Sequence, residues 1–265
     1  MKPIKILTFL TALCISTASF AQQKPANSPA NSPANFPANF IEVEGGVSLP
    51  LGNFGKTSTA TSLVSFKGTI NDLHGYAKAG AFGAVDGAWF FSKHFGLGGM
   101  FKYGTYNLKG VDSLSYGYEE SFDVDTTRTT PTNYKMWSIM PGLYYNLAIA
   151  GKFAFTARAL AGMAYATTPR IYVNIEDGGV TDPPAIQNSA SKAAFAFDLG
   201  AGFRYNILKC LSVNLKADYF YTKPDFAITN STRITDAGRE ISQYDQPLES
   251  INFSLGVAYQ FGRKK

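Results

Sequence analysis

Cysteine is almost missing: Cys14 and Cys210 are the only two in 265 residues, which excludes a disulfide scaffold. Charge is sparse as well, at 16% of residues, against the roughly 25% of an average soluble domain. The formal surplus of +5 is small and scattered, which argues against a nucleic-acid partner. No run beyond the N-terminus approaches the roughly 20 apolar residues that cross a bilayer as a helix, so a helical membrane protein is excluded too. Aromatic residues are plentiful instead, with 21 Phe, 15 Tyr and 2 Trp beside 25 Gly. A hydrophobic content of 45% excludes disorder throughout. The length allows one domain or two small ones.

Residues 1–21 read as a secretory signal peptide. Lys2 and Lys5 supply the positive region, Ile6 to Ile15 the apolar segment, and Ser19-Phe20-Ala21 a small-x-small cleavage site. The rival reading is a signal anchor, against which the short apolar segment and the cleavage site both count. Leu13 precedes Cys14 where a lipoprotein site needs a small residue, so lipidation is not expected. Cleavage before Gln22 leaves Cys210 as the only thiol. Residues 25–40 then repeat Pro-Ala-Asn-Ser twice and Pro-Ala-Asn-Phe twice. Proline at every fourth position removes backbone donors and fixes φ, so residues 22–39 are expected to be an extended, solvated linker. A ligand for a Pro-reading partner is the alternative, and no basic anchor supports it.

From Phe40 onward the dominant signal has period two. In the last segment Ile251, Phe253, Leu255, Val257, Tyr259 and Phe261 share one face, with Asn252, Ser254, Gly256, Ala258 and Gln260 on the other. The same rule holds over 41–49, 77–91, 95–106, 134–146, 153–166, 195–205 and 211–221, which makes eight predicted strands. Their connections alternate in length. Short links fall at Ser92–His94, Asn146–Lys152 and Asn206–Cys210; long ones at Pro50–Tyr76, Asn107–Asn133, Thr167–Lys192 and Lys223–Leu248. Asp177-Gly178-Gly179 and Asp182-Pro183-Pro184 mark turns within the long ones.

Alternation alone does not say which face points inward, because a soluble barrel and a membrane barrel share it. The face opposite the aromatics carries Gly96, Gly98, Gly162, Gly200, Gly202 and Gly256, which suits a narrow lumen better than solvent. It also carries the acids Glu42, Glu44, Asp86, Asp198 and Asp218 and the bases Lys78, Lys102, Arg158, Arg204 and Lys216. In a lumen these can pair, as buried charges must; on lipid each base near the midplane costs about 2–4 kcal/mol. Aromatics gather at both strand ends: Phe91, Phe95, Tyr145, Phe153, Tyr205 and Phe261 by the short turns, and Tyr103, Trp137, Tyr165, Tyr219 and Tyr221 towards the long loops. Two headgroup-level belts are the expected reading. In lipid every amide must be paired, so the sheet must close.

These features resemble the small eight-stranded outer-membrane barrels of the OmpA/OmpX type. The resemblance covers roughly 40–262 and rests on Gly45-Gly46-Val47-Ser48-Leu49-Pro50-Leu51-Gly52-Asn53-Phe54, on Ser92-Lys93-His94-Phe95-Gly96-Leu97-Gly98, and on the final aromatic-terminated strand. It implies an all-β, eight-stranded, antiparallel up-and-down barrel over 40–265, with short periplasmic turns, four long extracellular loops and both termini in the periplasm. It also implies contact with outer-membrane lipid and lipopolysaccharide, insertion by the barrel-assembly machinery, and loops available to an extracellular protein or surface ligand. Family members often stop at the terminal aromatic, whereas Gly262-Arg263-Lys264-Lys265 follow Phe261 here.

Sites are few. His94 reads as a turn residue. Some eight-stranded barrels modify lipid A at the outer rim, and His74 with Ser62 or Ser65 and Asp72 can be assembled on paper, without a spacing signature behind it. Glu119-Glu120-Ser121-Phe122-Asp123-Val124-Asp125 lacks an EF-hand pattern and reads as a solvated loop or hairpin extension. Arg128, Arg170, Arg233 and Arg239 are candidates for lipopolysaccharide phosphates. No catalytic, cofactor-binding or metal-ligating residue is assigned. Eight strands enclose an interior that side chains just fill, and Phe82, Phe90, Met100 and Phe220 share the inward phase, so an open porin is not expected. The expected function is structural or interactive, through exposed loops over a plugged lumen. The alternatives are a lipid A-modifying enzyme and a soluble periplasmic barrel carrying a small ligand.

Overall fold

The computed structural model describes residues 39–57, 74–112, 115, 119, 123, 125–231 and 240–262. These lie within one unit, Phe36–Lys265; the expected signal peptide falls outside the described residues, as does all of the expected linker except Asn39. Thirteen strands follow in order: β1 (Asn39–Pro50), β2 (Ala77–Phe90), β3 (Phe95–Leu108), β4 (Thr126–Pro131), β5 (Tyr134–Ala150), β6 (Phe153–Thr167), β7 (Ile171–Asp177), β8 (Val180–Gln187), β9 (Ser191–Asn206), β10 (Leu211–Thr222), β11 (Asp225–Ser231), β12 (Glu240–Asp245) and β13 (Leu248–Phe261).

Eight of them close a barrel in the order β1-β13-β10-β9-β6-β5-β3-β2. They are the eight predicted segments, each pairing antiparallel with its neighbour in the chain, and β1 closes the ring on β13 with Asn39 opposite Phe261. Closure leaves the wall without a free edge, the condition for a sheet surrounded by hydrocarbon. The short-link reading at Asn146–Lys152 needs correction. Leu147, Ala148, Ile149 and Ala150 prolong β5, and the turn is only Gly151-Lys152, with Gly151 supplying the positive φ of 53°.

The alternation resolves as the inverted pattern. Asp198 and Asn252 have no exposed surface, whereas Leu255 is 61% and Phe195 65% exposed. The outer wall is therefore a continuous apolar band, and the polar residues are inside. Aromatic neighbours meet across strands at both rims: Phe95 with Tyr145 at 5.3 Å and Phe153 with Tyr205 at 4.8 Å near the short turns, and Trp137 stacked on Tyr165 at 5.5 Å nearer the long loops.

Lys78 departs from the expected inward phase. A register shift between Ala77 and Gly80 inserts a bulge into β2, so Ala77 is buried and Lys78 faces out. The charges inside number five acids and four bases, not an even five and five.

Described parts of the long connections form strands that the loop-like composition did not suggest. Three of them contribute β4, β7–β8 and β11–β12 to a second sheet of five strands, in the order β12-β11-β8-β7-β4. Ile171, Val173 and Ile175 are buried on one face of β7, and Thr127 and Thr129 on β4. The outward-facing amides of β4 do not stay open. The N–H of Thr127 donates to Glu119 Oε1 at 2.7 Å and that of Thr129 to Ser115 Oγ at 3.1 Å. The Thr127 hydroxyl donates in turn to the Ser115 carbonyl at 2.8 Å.

Candidate functional site

The lumen is built by simple alternation. Every second residue of eight strands points to one axis, and there Glu42, Glu44, Asp86, Lys102, Arg158, Asp198, Arg204, Lys216 and Asp218 are all buried. Arg158 on β6 is the hub. Its Nη1 donates to Glu44 Oε1 at 3.1 Å and to Asp86 Oδ2 at 2.9 Å, and its Nε donates to Asp218 Oδ1 at 3.0 Å. Its Nη2 lies 2.9 Å from Asp218 Oδ2, and Asp198 Oδ1 is 3.3 Å from Nε. Four strands thus send a carboxylate to one guanidinium, whose planar fork serves several acceptors at once.

Glycine makes the room. A Cβ at Gly200 would sit 1.7 Å from Asp218 Oδ1, and one at Gly256 1.9 Å from Glu42 Oε1. This is the volume constraint behind the small residues of the inward face. Lys216 Nζ binds Glu44 Oε2 at 2.6 Å and Glu42 Oε1 at 3.0 Å. Arg204 donates to Asn214 Oδ1 at 2.9 Å and stacks over the Phe40 ring at 4.2 Å. Lys102 is held differently. Its ammonium lies 4.4 Å from the Phe82 ring centre and 5.1 Å from that of Phe220, with Asp198 Oδ2 4.0 Å away.

Towards the short turns, Phe40 packs edge-on against Tyr144 at 5.8 Å, and a cavity of about 20 Å³ remains beside Glu42, Asp86 and Arg158. That space accommodates about one water molecule. Asn39 and Phe40 are the last two residues of the Pro-Ala-Asn-Phe repeat, and both serve the barrel: Asn39 Oδ1 accepts the Phe90 N–H at 2.9 Å.

At the long-loop end a residue that sequence reasoning did not single out packs among the buried aromatics of the inward face. The turn Gly52–Gly55 inserts Phe54, 1% exposed, edge-on between Tyr106 at 5.0 Å and Tyr134 at 5.2 Å. The Gly75 N–H donates to the Asn53 carbonyl and the Ala77 N–H to the Phe54 carbonyl, so both ends of the first long connection are tied together at this ring. Beneath it, Tyr106 OH donates to Ser250 Oγ at 3.2 Å. The signal was available in Leu51-Gly52-Asn53-Phe54, where a large ring follows turn-forming residues.

The other candidates separate. His94 does sit in a turn, its Nδ1 3.1 Å from the Asn146 carbonyl oxygen. His74 is described and half-buried, while Ser62, Ser65 and Asp72 lie outside the described residues. Of the acidic stretch, Glu119 binds β4 as noted and Asp125 Oδ2 accepts the Gly178 N–H at 3.0 Å, so both tie backbone together. Among the described residues no group of three or more His, Cys, Asp and Glu is placed to hold a metal ion. Arg128 is exposed on β4, and Arg170 stacks over Tyr172 at 5.0 Å; Arg233 and Arg239 lie outside the described residues.

Comparison with known proteins follows this geometry. The model of the outer membrane protein beta-barrel domain family matches residues 7–261. No curated protein matches the chain. Among solved structures, OprG from Pseudomonas aeruginosa is similar at 13% identity and a TM-score of 0.48, covering 87% of this chain and 99% of that one. A major outer membrane protein from Thermus thermophilus is similar at 15% identity and a TM-score of 0.47, covering 84% and 100%. Neisserial surface protein A is similar at 10% identity and a TM-score of 0.42, covering 84% and 97%.

Proposed function

The chain belongs to the outer membrane protein beta-barrel family, and on that premise we propose that it is a non-catalytic surface platform: a barrel closed to solute flow that holds an ordered loop sheet outside the cell. Its place is the outer membrane. In this reading the leader is removed, residues 22–38 are a periplasmic linker, the short turns and both termini face the periplasm, and the loop sheet faces outward.

The observation that carries the reading is the five-stranded sheet itself. Three connections that belong to different hairpins of the barrel are joined by backbone pairing into one surface. Fixing so many residues costs about 1–2 kcal/mol each in backbone entropy, which independent solvated loops would avoid. A shaped outer surface on a rigid base suits recognition of a protein or glycan partner. The closed-lumen reading is supported by the Arg158 hub and by Phe54 buried between Tyr106 and Tyr134, which fill the interior at two levels.

The test replaces Ile171–Gln187, the β7–β8 hairpin, by a short Asn-Gly turn in the full chain. The barrel should still show heat-modifiable gel migration, while cells bearing it lose adherence to immobilised matrix proteins and glycans relative to cells bearing the intact chain. Unchanged adherence would refute the platform reading. A large, stable conductance of the intact protein in planar bilayers would refute the closed lumen.

A further inference from the structure

The outer rim of the barrel is not uniform around its circumference. On one side, strand register sets Tyr103, Trp137 and Tyr165 side by side across β3, β5 and β6. Two residues farther out, about 7 Å along the strands, the next outward row reads Thr105, Lys135 and Thr167 across the same strands. The bulge in β2 then turns Lys78 to the outside, and Lys109, tied by its N–H to the Tyr76 carbonyl, follows the end of β3. All three lysines are exposed, and among the described residues none of them forms an ion pair. The opposite side has the reverse character. Tyr219 donates to the Glu249 carboxylate at 3.2 Å, and Lys223 is already paired with Asp245.

We propose that the outer rim of β2, β3, β5 and β6 is a binding surface for phosphate-bearing anionic lipid in the adjoining leaflet. The order of groups along the strands matches such a lipid. Apolar residues meet the acyl chains, an aromatic row lies at the ester level where amphipathic rings prefer to sit, and ammonium groups that form no ion pair follow at the depth of the phosphate, beside threonine hydroxyls of which that of Thr167 is shared with Ser191. Charge complementarity selects the occupant, since none of the three exposed lysines is ion-paired among the described residues, whereas the β10–β13 side offers the Glu249 carboxylate and a cation already neutralised. This proposal rests on the outer wall facing lipid with the long loops outward, as set out above.

Trp137 lies within the surface and reports on it. With Trp89→Phe in the full chain, Trp137 is the only tryptophan, because the protein has two. The protein is reconstituted in phosphatidylcholine–phosphatidylglycerol vesicles in which either lipid carries bromine on its acyl chains. Brominated phosphatidylglycerol should quench Trp137 more strongly than brominated phosphatidylcholine at equal mole fraction, with relative association falling about fivefold for each lysine removed. The preference should vanish in the Lys78→Gln/Lys109→Gln/Lys135→Gln protein and in molar salt. Equal quenching by the two lipids in the parent protein, or a preference that survives the triple substitution, would overturn the proposal. Absence of quenching by both lipids would overturn the lipid-facing placement as well, so the two failures are distinguishable.

Discussion

Replacing Arg158 by Met removes the one cation that four carboxylates share. Their positions differ in what is left to them. Glu44 and Asp86 keep Lys216 at 2.6 and 3.4 Å, and Asp198 keeps Lys102 at 4.0 Å. Asp218 has no other cation within ion-pair distance among the described residues. Breaking a buried pair from one side costs about 3–5 kcal/mol, because the survivor stays desolvated without compensation. We therefore expect a loss of about 4 kcal/mol, centred on Asp218. With a urea slope of about 2 kcal/mol per M, the unfolding midpoint in lipid vesicles should fall by about 2 M. Heat-modifiable gel migration reads the folded fraction. Adding Asp218→Asn should recover part of the loss, since it deletes the stranded charge, and the double-mutant cycle should give a coupling towards the upper end of about 0.5–3 kcal/mol. A loss below about 1 kcal/mol, or a double variant no more stable than Arg158→Met alone, would refute the hub as described.

Phe54→Ala should destabilise the barrel by about 3 kcal/mol, read as a lower midpoint in the same assay, because it empties the space between Tyr106 and Tyr134. Cys210 is exposed in the turn between β9 and β10; bulky polyethylene-glycol maleimide should modify it only after the outer membrane is permeabilised, and labelling of intact cells would reverse the proposed orientation. The hydrogen bond from Lys223 to Asp245, outside the barrel strands, raises the pKa of the ammonium above the ordinary lysine value. Its contribution is therefore fully present below the ordinary lysine range and lost as pH rises through the raised value. Asp245→Asn should return the lysine titration, followed by NMR, to the ordinary range.

The barrel was legible because its physics is local. Period two, small residues on one face and rings at both ends specify strand, facing and belt residue by residue, and the eight segments coincide with the eight barrel strands. Lys78 was misplaced because a bulge breaks the parity that the reading extrapolates, and Gly80, which marks the register shift, is one of three glycines in β2. The Arg158 hub was half legible. Sequence phase put the charges in one compartment, but which carboxylates converge depends on strand stagger around a closed ring, which no single segment encodes. The loop sheet was missed although Ile171-Tyr172-Val173-Asn174-Ile175 alternates and Asp177-Gly178-Gly179 was recognised as a turn. Its pairing of β8 with β11 joins segments separated by barrel strands β9 and β10, a contact that local pattern does not announce.

Side chains from the segment before β4 occupy two of the backbone donors that a neighbouring molecule would otherwise use. In a membrane crowded with copies of the same protein, an unblocked strand of this kind would invite one molecule to zip onto the next, and Ser115 and Glu119 withhold that invitation on this side. An extended peptide laid along β4 would find these two donors already taken, so generic amide pairing gains less there than on an unblocked edge.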